Sequence, residues 1–144
     1  MKHNLLWAAA CAAGALLYWA PASAADPPAS PTAVVEQLLD KDMVGVPGKE
    51  LLMLTVQYLP GAASLPHRHD AQVFVYVLEG EVIMQVKGSP AVTLHRGQTF
   101  YEGPNDVHVV SANRSKSAPA KILVFMVKDK NTPVSRGVAP QGAS

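Results

Sequence analysis

Apolar and polar residues fall in short blocks along most of this chain, broken at regular intervals by glycine and proline. Glu50 to Leu59 (ELLMLTVQYL) reads as a strand stopped by Pro60-Gly61. Val73 to Leu78 (VFVYVL) is β-branched and aromatic and apolar on both faces. Glu79-Gly80-Glu81 turns the chain, and Val82 to Val86 alternates back to a turn at Gly88-Ser89-Pro90. Ala91 to Leu94, Thr99 to Glu102 and Val107 to Ser111 are short strand candidates, separated by Arg96-Gly97 and by Gly103-Pro104-Asn105-Asp106. Lys121 to Lys128 (KILVFMVK) is an apolar strand with charged ends. Thr32 to Leu39 reads as either strand or helix, Val34 and Val35 leaning to strand, and residues 40–48 hold a turn at Gly45, Pro47 and Gly48.

Strands this short, with a turn about every 8 to 12 residues, predict an all-β antiparallel sandwich or barrel. Helical periodicity is lacking after Leu39, and so is any internal repeat. Phe74, Tyr76 and Leu78 alternate with Val73, Val75 and Val77, so one apolar set must face outward and needs cover. A homodimer is the expectation that follows.

The N-terminus changes how the composition is read. Lys2 and His3 precede an uncharged apolar run from Leu5 to Trp19, and Pro21 then leads into Ala22-Ser23-Ala24. That is the pattern of a secretory signal over residues 1–24, cut before Ala25, and it places the product in a periplasm or outside the cell. The run is short for a bilayer span, and the residues before Cys11 lack the aliphatic start of a lipobox. Cleavage removes Cys11, the single cysteine, so disulfides and Cys-rich zinc sites drop out. Residues 25–32 and 131–144, rich in Pro, Ala, Ser and Gly, are expected to be flexible tails around one domain over 33–130. With 12 Lys+Arg against 11 Asp+Glu, there is no basic footprint for nucleic acid and none for a membrane surface after cleavage. No Gly-x-Ser-x-Gly nucleophile motif occurs.

Four histidines remain beyond the signal: His67, His69, His95 and His108. In extended chain, residues i and i+2 point to one side, so His67 and His69 can converge on one point. Convergent neutral imidazoles suit Zn, Fe, Ni, Cu and, with carboxylates, Mn. His-x-His alone is equally an exposed pair. His95 precedes a turn and reads as surface.

Two stretches carry a more specific signal. Gly61-x5-His67-x-His69 followed by Val77-Leu78-Glu79-Gly80-Glu81 resembles the first motif of the cupin family. Gly97-x5-Gly103-Pro104-Asn105-x2-His108, with Asn113 beyond, resembles the second. The resemblance covers about residues 33 to 129. It implies a small antiparallel jelly-roll barrel (double-stranded β-helix), often dimeric, with one divalent metal inside. By residue-wise carry-over it also implies that His67, His69 and His108 are metal ligands.

The departures bear on the fourth ligand. The family's first motif usually carries Glu seven residues before its final Gly, and Val73 stands there. Gln72, next to it, is a candidate ligand if a bulge re-aims its side chain, and otherwise faces solvent. Glu102 is a candidate replacement ligand or general base, with a rim carboxylate in water as the slightly favoured reading. Asn105 stands where the family has Gly, and Asn tolerates positive φ. Asp106 reads as a loop cap, Glu79 and Glu81 as solvated turn residues, and Arg68 as pointing away from the histidines with Asp70 as a partner. The resemblance allows a metal-dependent enzyme on a small organic molecule, dioxygenase-like as the first expectation. The alternatives are a non-catalytic periplasmic binder of a small ligand or metal, and a structural barrel with an empty site. The metal (Fe, Mn, Ni, Cu or Zn) and the substrate are not legible.

Overall fold

The structure is a computed structural model describing residues 33–138. The predicted signal peptide, the tail over 25–32 and the last six residues lie outside the described part. Ten strands follow one another: β1 (Val34–Asp42), β2 (Lys49–Tyr58), β3 (His67–Arg68), β4 (Ala71–Glu79), β5 (Glu81–Val86), β6 (Val92–His95), β7 (Thr99–Glu102), β8 (Val107–Asn113), β9 (Ala120–Asp129) and β10 (Arg136–Gly137). They form two five-stranded sheets, β1-β2-β9-β4-β7 and β10-β3-β8-β5-β6, in which every pairing is antiparallel. This is the all-β jelly roll expected from the turn spacing. The ambiguous N-terminal block resolves as strand β1, which is exposed along its length and pairs with β2 alone.

Alternation builds the interior. Leu52, Leu54, Val56 and Tyr58 on β2, Val73, Val75 and Val77 on β4, and Ile122, Val124 and Met126 on β9 all face inward, meeting Val82 and Met84 of the second sheet. Side chains spaced by two share a face, so these strands of nine or ten residues present one buried row each. Lys128, at the charged end of β9, also turns inward and is buried against the carboxylate of Glu50. Crossing from β4 to β5 takes the chain from one sheet to the other at Gly80. Its φ is +71°, and a Cβ there would stand 2.7 Å from the Pro119 carbonyl oxygen, so the tight crossing admits only glycine.

The outward set on β4 is Phe74 and Tyr76, 43% and 44% exposed, beside Tyr101 on β7 at 52%. Phe74 packs its ring 5.3 Å from that of Tyr101 and 6.3 Å from that of Phe125. The C-terminal expectation needs correction. Residues 131–138 are not a free tail: β10 pairs with β3, and Val138 N donates to Pro66 O at 3.1 Å. The polar, Gly/Pro-rich composition hid this because two residues of edge pairing leave no hydrophobic period to read.

Candidate metal centre

The three histidines come together at one end of the barrel interior. His67 on β3 is the direct cross-strand partner of His108 on β8, and His69 follows β3 on the same side. The His67 ring centroid lies 4.9 Å from that of His69 and 5.3 Å from that of His108. Phe100 stacks beside His108 at 6.0 Å, closing one flank.

Each ring has its δ nitrogen occupied. His67 Nδ1 donates to Leu65 O at 2.7 Å and His69 Nδ1 to Val134 O at 2.6 Å, since a carbonyl can only accept. His108 Nδ1 faces Glu102 Oε1 at 3.2 Å. Fixing the proton on Nδ1 leaves the Nε2 lone pair of each ring available, the arrangement that outer hydrogen bonds impose on ligand imidazoles. Burial holds His67 below the ordinary histidine value, the Leu65 carbonyl opposing it and the neighbouring His69 and His108 adding to it, which favours the neutral donor form.

Glu102 is not a rim carboxylate. It is 2% exposed, because on β7 it pairs with Val73 of β4 and shares its inward face. The acid is therefore present one strand over, about 4.8 Å across the sheet, from the position that the resemblance assigns to it. Burial pushes its carboxyl upward, but the hydrogen bond from His108 and the electrostatic attraction of the His108, His69 and His67 rings outweigh this and leave it below the usual carboxylate value. Its Oε2 lies 3.8 Å from His69 Nε2.

Two buried atoms of this cluster, Glu102 Oε2 and His108 Nε2, have no hydrogen-bond partner. Buried polar atoms are rarely left so, and each such atom asks for an explanation. As placed, however, no three His, Cys, Asp or Glu side chains among the described residues are gathered into a ready coordination shell. The donor set fits one divalent ion by its chemistry, three imidazole nitrogens and one carboxylate.

Gln72 is not brought to the site. It is exposed on the outer face, because β4 pairs with β9 in unbroken register from Ala71 to Val77 and no bulge re-aims it. Its register shift comes only between Val77 and Glu79. The other readings resolve as follows. His95 is on the surface with Nδ1 2.9 Å from Glu81 Oε1. Asp106 caps its loop by accepting from Gly103 N at 2.8 Å. Asn105 has a φ of 75°, and its Oδ1 accepts from Arg68 at 3.2 Å. Arg68 also lies 3.3 Å from Asp70.

One feature of the site escaped the sequence reading. The register between β5 and β8 pairs Gln85 with Val110 but Val86 with His108, leaving Val109 as an extra residue. This bulge breaks strict alternation, so His108, Ser111 and Asn113 are all buried. Ser111 Oγ then meets the buried Tyr58 hydroxyl at 2.6 Å, and burial holds that phenol above its ordinary value. No residue type marks the bulge; only the spacing of three between His108 and Ser111 hints at it.

The cluster opens into a cavity of about 620 Å³ whose far walls are aliphatic side chains of β2, β4 and β9, with Met84 of β5 facing them. The C-terminal segment runs along this cavity through Val134, Ser135 and Gly137.

A family profile described as a cupin domain matches residues 54–126, half of the sequence, and the chain belongs to that family. Among solved structures it is similar to the DMSP lyase DddQ from Ruegeria pomeroyi DSS-3, with 25% identity and a TM-score of 0.55 over 65% of this chain and 45% of that one. A recombinant oxalate oxidase in complex with glycolate is 23% identical, with a TM-score of 0.57 over 73% and 54% of the two chains. A cupin domain from Bordetella pertussis Tohama I is 19% identical at a TM-score of 0.55, covering 69% of this chain and 96% of that one. The chain thus spans under half the length of the DMSP lyases it matches. None of the curated proteins matches its sequence.

Proposed function

We propose that His67, His69, His108 and Glu102 hold one divalent metal ion, and that the protein is an exported, metal-dependent enzyme acting on a small organic molecule, an oxidoreductase of dioxygenase-like type. The observation that carries this reading is the pair of buried, unpartnered atoms, Glu102 Oε2 and His108 Nε2, at the focus of three oriented imidazoles. When bound, such an ion supplies Lewis-acid polarisation of a substrate oxygen and, if redox-active, one-electron chemistry. The chain's own groups orient the donors. Leu65 O and Val134 O lock two imidazoles, Glu102 locks the third and brings one negative charge, and the barrel interior buries His69, His108 and Glu102. DddQ, a lyase by name on the same fold, supports an enzyme reading without fixing the reaction.

Val73, standing where the family's first motif usually carries Glu, favours a second reading, a non-catalytic cupin that binds a small ligand or metal in the periplasm. In either reading the exposed row of Phe74, Tyr76 and Tyr101, together with the uncovered β1, serves to pair two copies of the chain.

Elemental analysis of the natively purified mature protein, beside His67→Ala and Glu102→Gln, tests the metal reading. Near-stoichiometric metal in the parent, lost in His67→Ala and weakened in Glu102→Gln, is the expected result. Folded parent protein with no metal after incubation with Fe, Mn, Ni, Cu and Zn salts would overturn it.

A further inference from the structure

We infer that the cavity takes an organic monoanion with an aliphatic or alicyclic body, in preference to a small dianion or an organic cation. The head of this ligand rests on the proposed metal reading; the body rests on the walls alone. The cavity of about 620 Å³ is walled by Leu54, Val56, Val75, Met84, Ile122 and Val124, contributed by both sheets. An apolar cavity of about 150 Å³ accepts one benzene ring, so this one has room for several ring-sized units. Its volume is also ordinary for a ligand pocket.

Charge sets the head. Among the described residues no Lys or Arg lines the cavity, and the ionisable groups there are the three histidines, Glu102 and Tyr58. A doubly charged cation beside one carboxylate leaves one net positive charge, which a single carboxylate or enolate balances. A second carboxylate on the ligand would lie against aliphatic carbon without a partner, where burying a charge is costly. A cationic ligand fares no better. Among the described residues Tyr58 is the one Phe, Tyr or Trp in the wall, and a single such ring makes no aromatic cage; its hydroxyl is tied to Ser111 at 2.6 Å. Ser64 Oγ lies 3.4 Å from the same phenol, so the other polar spot in the wall is largely satisfied within itself.

The test is calorimetric titration of the full mature protein, loaded with Mn²⁺, with butanoate, hexanoate, octanoate and oxalate. Affinity is expected to rise about fourfold per added methylene, with octanoate bound more tightly than oxalate. Val124→Thr, which sets a hydroxyl into the apolar wall at nearly constant volume, is expected to flatten the chain-length dependence. Affinity that does not change with chain length, or oxalate bound more tightly than octanoate, overturns the inference. Running the series on His67→Ala separates it from the metal reading. A methylene dependence that persists in parent protein unable to bind metal removes the metal and keeps the apolar body. Metal binding lost in His67→Ala, with no methylene dependence in the loaded parent, does the reverse.

Discussion

The two sheets divide the labour unequally. The sheet β1-β2-β9-β4-β7 has four strands of nine or ten residues and supplies most of the buried aliphatic rows. To the candidate site it gives one side chain, Glu102. The sheet β10-β3-β8-β5-β6 has strands of two to seven residues and gives all three histidines, either on its strands or just beyond them. Long strands bury many methylenes in register, which makes a rigid wall. Short strands leave their order to turns, side-chain hydrogen bonds and a bulge, which lets polar groups be aimed at a point. Stability and chemistry are thus held largely on opposite walls, so their losses should be separable.

The largest test of that separation is Leu52→Ala in the long sheet. Leu52 is 2% exposed, and removing a buried leucine side chain is expected to cost about 3 kcal/mol, read as a lowered urea midpoint. Metal retention by the protein that remains folded should be unchanged. His67→Ala, half-buried at the site, is expected to cost about 1 kcal/mol or less while removing the metal. If Leu52→Ala sheds metal at a denaturant concentration where it is still folded, the walls are not independent.

A medium effect is expected where the short sheet is tied to the long one. Asn113 is 4% exposed, at the end of β8. Its side-chain amide donates to Ala118 O at 2.8 Å, to Leu59 O at 3.1 Å and to Tyr58 O at 3.4 Å, while its Oδ1 accepts from Ser115 N at 2.9 Å. Asn113→Ala strands these groups at the end of β2, and a loss of roughly 2 kcal/mol is expected. Asn113→Asp keeps the acceptor and loses the donors, so it should lie close to the alanine variant rather than to the parent. A loss under about 0.5 kcal/mol for alanine would mean that the loop carries itself and that polar contacts do not hold this sheet.

What the sequence made legible follows the same division. The ends of β7 are legible as they stand, and those of β2, β4, β5 and β9 nearly so, because turn residues bound them; on β4 and β9 strict alternation of burial adds to this, whereas Leu54, Thr55 and Val56 of β2 are buried in succession. The histidine cluster was legible because His67 and His69 share a side in extended chain and His108 sits in a motif with its own turn chemistry. Glu102 is visible in the sequence as a candidate, though a carboxylate between two turns leans towards solvent. Its burial depends on being opposite Val73, and cross-strand register is a tertiary fact. Gln72 was a candidate only through an imagined bulge; the real bulge lies at Val109, where nothing in the residue types announces it. The C-terminal strap was illegible for a related reason, since its placement rests on single contacts with no period.

The smallest effect is expected at that strap, which joins the short sheet through β10. Arg136 Nε donates to Asp70 Oδ2 at 2.6 Å, and this hydrogen bond, ahead of the charge of Arg68, holds the Asp70 carboxyl below its usual range. Arg136 is exposed and Asp70 partly so, and ion pairs this open to solvent contribute little to global stability. Arg136→Ala should therefore leave the urea midpoint where it is. The same segment carries Val134 O, which accepts from His69 Nδ1, and the Val138 amide, which donates to Pro66 O. Loosening the strap is expected to speed exchange of the Val138 amide proton and of the His69 Nδ1 proton, both readable by NMR, without touching amides of β9. Unchanged exchange at both positions would show that backbone pairing with β3 holds the strap by itself. The orientation of His69 would then belong to the sheet rather than to the segment laid across it.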